Sequence, residues 1–346
     1  MVDLAASLAE IVNRPVEGRG AAGIAALVAG AVDPVAIWTP PSRDEPAYLA
    51  YSITKTFTAV LFLLLRDEGR LALEDRLARW FPGIPGADRI SLGQLLNHTA
   101  GIPDYGGLPS YHDAVRAFPS TPWSFEQVAA ETFDRGLSFE PGNGWAYSNP
   151  GYMLLKRVAE EVAGVSYATL IAERIAGPLG LRRTFVAESL EALSSLAPAS
   201  SRELTLDGNS CDVRGRYHPG WVSHGVVAST PSDIARFFDA VFRGRLVPSH
   251  SITEMKTLVP VAGAPPMPSP RWSRPGYGLG IVGIDESPFG PLWGHNGGGP
   301  GYRTSAYHAP ELGEASVCAM CSLEGDPGAE SLVFAAFAAL REQDSA

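Results

Sequence analysis

Strand-like runs sit at the two ends of this 346-residue chain, and a long helical stretch separates them. That order constrains the fold more than any single residue does. A sheet needs its strands as neighbours, so the two ends must meet in one sheet and the middle must be an insertion. Helical periodicity covers residues 4–12, and strand-like runs follow at 23–28 and 34–39. A strong helix is expected from Ser52 to residue 69. From 71 to 193 the pattern is mostly helical, broken by Gly/Pro loops such as FPGIPGAD and FEPGNG. Residues 193–219 are ambiguous. STPSDIARFFDAVFRG reads as a helix capped by Ser229 or Thr230, with Pro231 in the first turn. Residues 277–323 hold four short strand-like runs divided by Gly/Pro turns, which predicts antiparallel pairing. An apolar helix is expected over 330–342. The reading is an α/β (α+β) fold: an α/β lobe from residues 1–75 and 220–346, an all-helical lobe from 76–219, and a cleft between them.

Composition narrows the function. The net charge of −10 and pI near 5.2 leave no basic patch for nucleic acid or anionic lipid. The N-terminus, MVDLAASLAEIVNRP, lacks the basic start of a secretory signal, and the longest apolar run is too short to span a bilayer. A cytoplasmic protein without nucleic-acid or membrane partners is expected, acting on a small-molecule or peptide substrate. The oligomeric state stays open. Three cysteines, Cys211, Cys318 and Cys321, are too few for a disulfide framework. The C-x-x-C of Cys318 and Cys321 lies in a strand-like run without a turn, so both are expected in the packed core.

Three short motifs carry chemistry. In Ser52-Ile53-Thr54-Lys55, positions i and i+3 share a helix face, so the amine can reach the hydroxyl. A helix N-terminus there favours a developing oxyanion, and a lysine in an apolar pocket loses proton affinity and can serve as base. Tyr147-Ser148-Asn149 follows a turn-rich loop. A phenol near cations is expected to have a lowered pKa and to shuttle protons, and Asn149 offers a donor and an acceptor to substrate. His295-Asn296-Gly297 lies in a glycine-rich segment that lets another backbone approach. The Gly298 N–H is a candidate second oxyanion donor beside that of Ser52. His295 should have the ordinary histidine pKa of about 6.5 and attract a carboxylate only weakly at neutral pH. Arg303, on the next strand, is the alternative cation.

Together and in this order, S-x-x-K, Y-x-N 95 residues on (147 − 52) and H-x-G near the end resemble the serine β-lactamase/penicillin-binding-protein superfamily. The likeness is to its class C β-lactamase-like branch. YSITKTFTAVLFLLLRDEGRLALED, ISLGQLLNHTAGIPDY, WAYSNPGYMLL, GVVASTPSDIARF and GHNGGGPGY fit the same branch. The resemblance implies a β-lactamase/transpeptidase-like fold and acyl transfer through Ser52, with Lys55 and Tyr147 as the proton-handling groups. Ser52 and Gly298 would form the oxyanion hole, Asn149, His295, Gly297 and Gly298 would touch substrate, and no cofactor is implied. Histidine replaces the Lys-Thr-Gly of classical β-lactamases, which favours a peptidase of the D-amino-acid or D-alanyl-D-alanine carboxypeptidase type. The alternatives are an esterase on short acyl esters and a slow-deacylating penicillin-binding sensor, with weak β-lactam hydrolysis possible in each case.

Tyr105 is a pocket candidate from its place in the GIPDY loop. His98, in the same stretch, is expected to be structural. His112, His218, His224, His250 and His308 are scattered without ligand spacing, so no metal site is expected. Trp145, Trp221 and Trp293 read as packing. There is no G-x-S-x-G elbow, and GHNGGGPG lacks the lysine and helix of a phosphate loop.

Overall fold

The computed structural model describes residues 4–15, 17–261, 273–323 and 328–344. Its strands are β1 Ala22–Leu27, β2 Val35–Thr39, β3 Tyr48–Leu49, β4 Phe185–Val186, β5 Ser200–Ser201, β6 Cys211–Asp212, β7 Val227–Ser229, β8 Val259–Pro260, β9 Ser273–Tyr277, β10 Val282–Glu286, β11 Leu292–Gly299, β12 Tyr302–Ala309 and β13 Ala315–Ser322. The α-helices are α1 Leu4–Asn13, α2 Thr54–Asp67, α3 Leu92–Leu96, α4 Pro109–Ala117, α5 Phe125–Glu131, α6 Asn149–Ala163, α7 Tyr167–Ile171, α8 Gly177–Leu179, α9 Pro231–Phe242, α10 Ser249–Met255 and α11 Gly328–Asp344.

The two ends of the chain do meet. The main sheet runs β2-β1-β13-β12-β11-β10-β9-β8, with antiparallel neighbours throughout. One face of the sheet packs on α1 and α11, through Leu8, Ile11, Val333 and Phe337. The other face looks onto α9 and α2 and merges with the helical middle of the chain in one larger core. Side chains alternate across a strand, and this decides the fate of the C-x-x-C pair. Cys318 falls in the core on the α2 side and Cys321 in the core on the α11 side. Both thiols are free and buried, on opposite faces of β13.

A small second sheet, β3-β7-β4, fixes the start of α2. Ala50 N–H donates to Val227 O at 2.8 Å, and Val227 N–H donates to Thr54 Oγ1 at 2.9 Å. Almost every residue of α2 is buried, the polar Thr54, Lys55, Thr56 and Thr58 included. Its remaining inward hydroxyls are satisfied: Thr56 Oγ1 donates to Gly280 O, and Thr58 pairs with Tyr167 OH, each at 2.8 Å. The ambiguous stretch resolves into short 3₁₀ turns at Glu191–Ser195 and Pro219–Trp221 and the β5–β6 hairpin.

Candidate active site

Ser52 lies in a 3₁₀ turn, Tyr51–Ile53, that leads into α2 rather than in the α-helix itself. Tyr51 adopts φ 45°, a left-handed conformation that costs a non-glycine residue about 1–2 kcal/mol. Its buried ring and a 2.7 Å bond from its OH to Pro300 O hold it there. No side chain caps either the 3₁₀ turn or α2, so the Ser52 hydroxyl is not spent on a cap. Lys55 follows on the first turn of α2, fully buried. Its Nζ donates to Asn149 Oδ1 at 2.7 Å and lies 2.9 Å from His224 Nε2. Burial pushes its pKa down to about 7, against the opposing pull of the Asp104 carboxylate.

The Tyr147 loop is held from beneath by His98. Ala146 N–H donates to His98 O and Ser148 N–H to His98 Nδ1, each at 3.1 Å. The cap of α6 is Ser148, whose Oγ accepts from Gly151 N–H at 3.0 Å. This frees the Asn149 amide to bind Lys55. Asp104 accepts from Asn149 N–H at 2.8 Å and from Gly106 N–H at 3.0 Å. The Tyr147 ring lies 4.7 Å from Lys55 Nζ, and Ser52 is the neighbour that favours its ionised form. The lowered phenol pKa expected from the sequence does not appear. Burial raises it well above the ordinary value and outweighs the opposing influence of Ser52, so Tyr147 keeps its proton.

β11 brings the third motif against the Ser52 turn. A Cβ on Gly297 would collide with Ala50 O and Thr304 Oγ1 and would sit 3.1 Å from Ser52 N, so only glycine permits this approach. Thr304 Oγ1 ties the same place from β12 by donating to Ala50 O at 3.0 Å. Gly298, one residue on, borders the cleft together with Ser52. His295 is buried behind Tyr147, with ring centroids 6.5 Å apart. Its Nδ1–H donates to Asn296 O at 2.5 Å, so Nε2 must accept from Tyr277 OH at 2.9 Å. Burial first, and the Lys55 charge second, push its pKa down to about 3, far below the ordinary value expected from sequence. No physiological pH makes it a cation.

The cleft is a cavity of about 400 Å³ bordered by Ser52, Asn149, His224, Gly298 and Arg303. Its opposite wall is aromatic. Tyr105 and Tyr111 stack at 4.5 Å, and Trp221 stands edge-on to Tyr111 at 5.6 Å. The polar tips of this wall are used internally: Tyr111 OH donates to Trp221 O at 3.1 Å, Trp221 Nε1–H to Pro119 O at 3.0 Å, and Ser223 Oγ to Tyr105 OH at 3.1 Å. The wall therefore turns aromatic carbon rather than free polar groups to the cleft. At the rim, Arg303 Nη1 donates to Gly299 O at 2.6 Å and Tyr302 O at 2.9 Å.

A family model described as Beta-lactamase matches residues 8–340. The chain belongs to the β-lactamase family. Among curated members, penicillin-binding protein 4* of Bacillus subtilis (strain 168) is 30% identical over 280 residues, covering 76% of this chain and 58% of that protein. The D-alanyl-D-alanine-carboxypeptidase/endopeptidase AmpH of Escherichia coli (strain K12) is 28% identical, covering 63% of this chain and 55% of its own length. This chain therefore spans little more than half of these curated relatives. A solved D-stereospecific amidohydrolase from Streptomyces sp. superposes with a TM-score of 0.80 at 28% identity, covering 95% of this chain and 97% of that one. The fold is β-lactamase/transpeptidase-like, as the motifs implied.

In this β-lactamase-family chain, the structure brings Ser52, Lys55, Tyr147, Asn149, Gly297 and Gly298 to one place, with Tyr105 and Arg303 in the cleft walls. The His295 ring is buried beside them, bonded to Tyr277 and Asn296. Three site residues went unread in the sequence: Asp104, Tyr277 and His224. Asp104 adjoins Tyr105 in the GIPDY loop, which was a signal. His224 and Tyr277 carried none, because their partners are distant in sequence.

Proposed function

We propose that the protein is a serine hydrolase that forms an acyl-enzyme on Ser52 and cleaves amide or peptide bonds of the D-amino-acid or D-alanyl type. The observation that carries this reading is the buried Lys55, one helical turn from Ser52 and hydrogen-bonded to Asn149. In the proposed cycle, Ser52 Oγ attacks the carbonyl and passes its proton to neutral Lys55. The Ser52 and Gly298 N–H groups receive the oxyanion. Tyr147, which holds its proton, donates to the leaving group and is reprotonated from the Lys55 ammonium. Water then enters and releases the acyl group. The carboxypeptidase and amidohydrolase relatives support an amide substrate.

The aromatic wall supports a second reading, hydrolysis of esters with an apolar acyl group, by the same steps. A panel of D-alanyl peptides, D-amino-acid amides, p-nitrophenyl esters and a cephalosporin separates the two. The amides should give the highest kcat/KM and the cephalosporin the lowest. A fluorophosphonate should add mass to the Ser52 peptide in the wild type and not in Ser52→Ala; labelling that persists in that variant removes Ser52 from the mechanism.

A further inference from the structure

His224 is the one ring nitrogen source within hydrogen-bond reach of Lys55 Nζ among the described residues, and nothing in the mechanism above uses it. The ring is buried and also borders the cleft. Backbone places it there. Gly225, in the left-handed region at φ +81°, turns the chain, and Gly225 N–H donates to Val222 O at 2.8 Å. Two residues on, Val227 is bonded to Ala50 and Thr54 on either side of Ser52. The His224–Lys55 distance is therefore set by the same strand that sets the start of α2.

The donor and acceptor inventory fixes what this contact does. An ammonium has three N–H groups and no acceptor; an amine has two N–H groups and one lone pair. Asn149 Oδ1 takes one N–H of Lys55. If His224 Nε2 takes the second, the remaining tetrahedral position of Nζ is left for the Ser52–Tyr147 pair, as an N–H or as a lone pair. That requires the imidazole proton on Nδ1. Nδ1 is buried and has no hydrogen-bond partner among the described residues, an arrangement that costs about 1–3 kcal/mol. Burial first, then the Lys55 charge from α2, with Lys156 from α6 adding to it, favours the neutral ring; His98 below the Tyr147 loop, His295 on β11 and the Tyr152 ring at 6.4 Å also face it.

We propose that His224 is a positioning residue whose neutral Nε2, together with Asn149, clamps Lys55 so that its third nitrogen position is aimed at Ser52. The proposal rests on the acyl-enzyme reading above. An acceptor also stabilises the ammonium, so its removal should lower the proton affinity of Lys55 further and move the acid limb of kcat/KM to lower pH.

The test is the pH profile of p-nitrophenyl ester hydrolysis for His224→Leu, His224→Gln and His224→Asn. A Gln amide reaches the Nε2 position, whereas Asn is too short. His224→Leu and His224→Asn should lower kcat by about 10- to 100-fold with KM nearly unchanged, and shift the acid limb down by roughly half a pH unit or more. His224→Gln should return kcat to within about five-fold and restore the limb. If Leu prevents folding, Gln against Asn carries the comparison. Equal losses in Gln and Asn with an unmoved limb reduce His224 to packing and overturn the proposal. An acid limb that persists in Lys55→Ala instead sinks the reading of Lys55 as base, so the two failures are distinguishable.

Discussion

His224 and His295 stand on two sides of the same lysine, and both imidazoles are neutral, yet they occupy different kinds of place. His224 borders the cleft and touches Lys55 directly, with one nitrogen unpartnered among the described residues. His295 lies in the floor behind Tyr147, with both nitrogens bonded to Tyr277 and Asn296. Full satisfaction is the mark of a group that holds structure, because a buried polar atom without a partner is costly. His224 spends its bonded nitrogen on the titratable amine itself, which is where a group placed for chemistry is expected. The pair shows that membership in a recognised motif is a weaker guide to a residue's work than what its ring nitrogens touch.

The cleft side of the comparison should break hardest. Lys55→Ala is expected to lower kcat by about 10³-fold or more, and Tyr147→Phe to cost a comparable factor. Because both groups serve one proton path, the double variant should be no slower than the worse single one, as steady-state rates on an ester would read. Losses that multiply would mean two independent contributions and dissolve the shared network.

The floor side should speak through stability. The folded-state pKa of His295 lies near 3 and its unfolded value near 6.5, so the unfolded chain binds more protons between those limits. Stability is therefore retained above about pH 6.5 and lost as pH falls through that window. His295→Gln removes this linkage, and the stability difference between pH 7 and pH 4.5 in urea titrations should shrink by roughly 2 kcal/mol. An unchanged difference would place the titration elsewhere and undo the contrast between floor and cleft.

The smallest effect is expected at the rim. With His295 uncharged, Arg303 is the cation at the cleft edge for a substrate carboxylate. Partly exposed pairs contribute about 0.2–1 kcal/mol, so Arg303→Gln should raise KM for carboxylate-bearing penicillins or peptides by no more than about five-fold. Neutral esters should be unaffected. An equal rise for both would assign Arg303 to the Gly299 and Tyr302 carbonyls it already holds.

Much of the arrangement was legible before any coordinates, because it follows from local pattern. Strand periodicity marks the C-terminal sheet, and Thr230 and Pro231 mark the start of α9, as observed. The C-x-x-C spacing could have been read further: three residues along a strand place two side chains on opposite faces. The i, i+3 geometry of Ser52 and Lys55 depends only on the turn that contains them. Gly297 announced a close approach of backbone without saying to what.

What the sequence by itself determined is the set of elements and the residues with chemistry to offer, since propensity and periodicity act over a few neighbours. What only the tertiary structure decided is the state of those residues. Asp104 reaches Asn149 across 45 positions and His224 reaches Lys55 across 169. The pKa values of Lys55, Tyr147 and His295 are set by burial, which no short segment can impose on itself. Desolvation is a property of the assembled core. It brings the lysine near neutrality, locks the proton on the tyrosine, and removes the charge that the third motif was expected to supply.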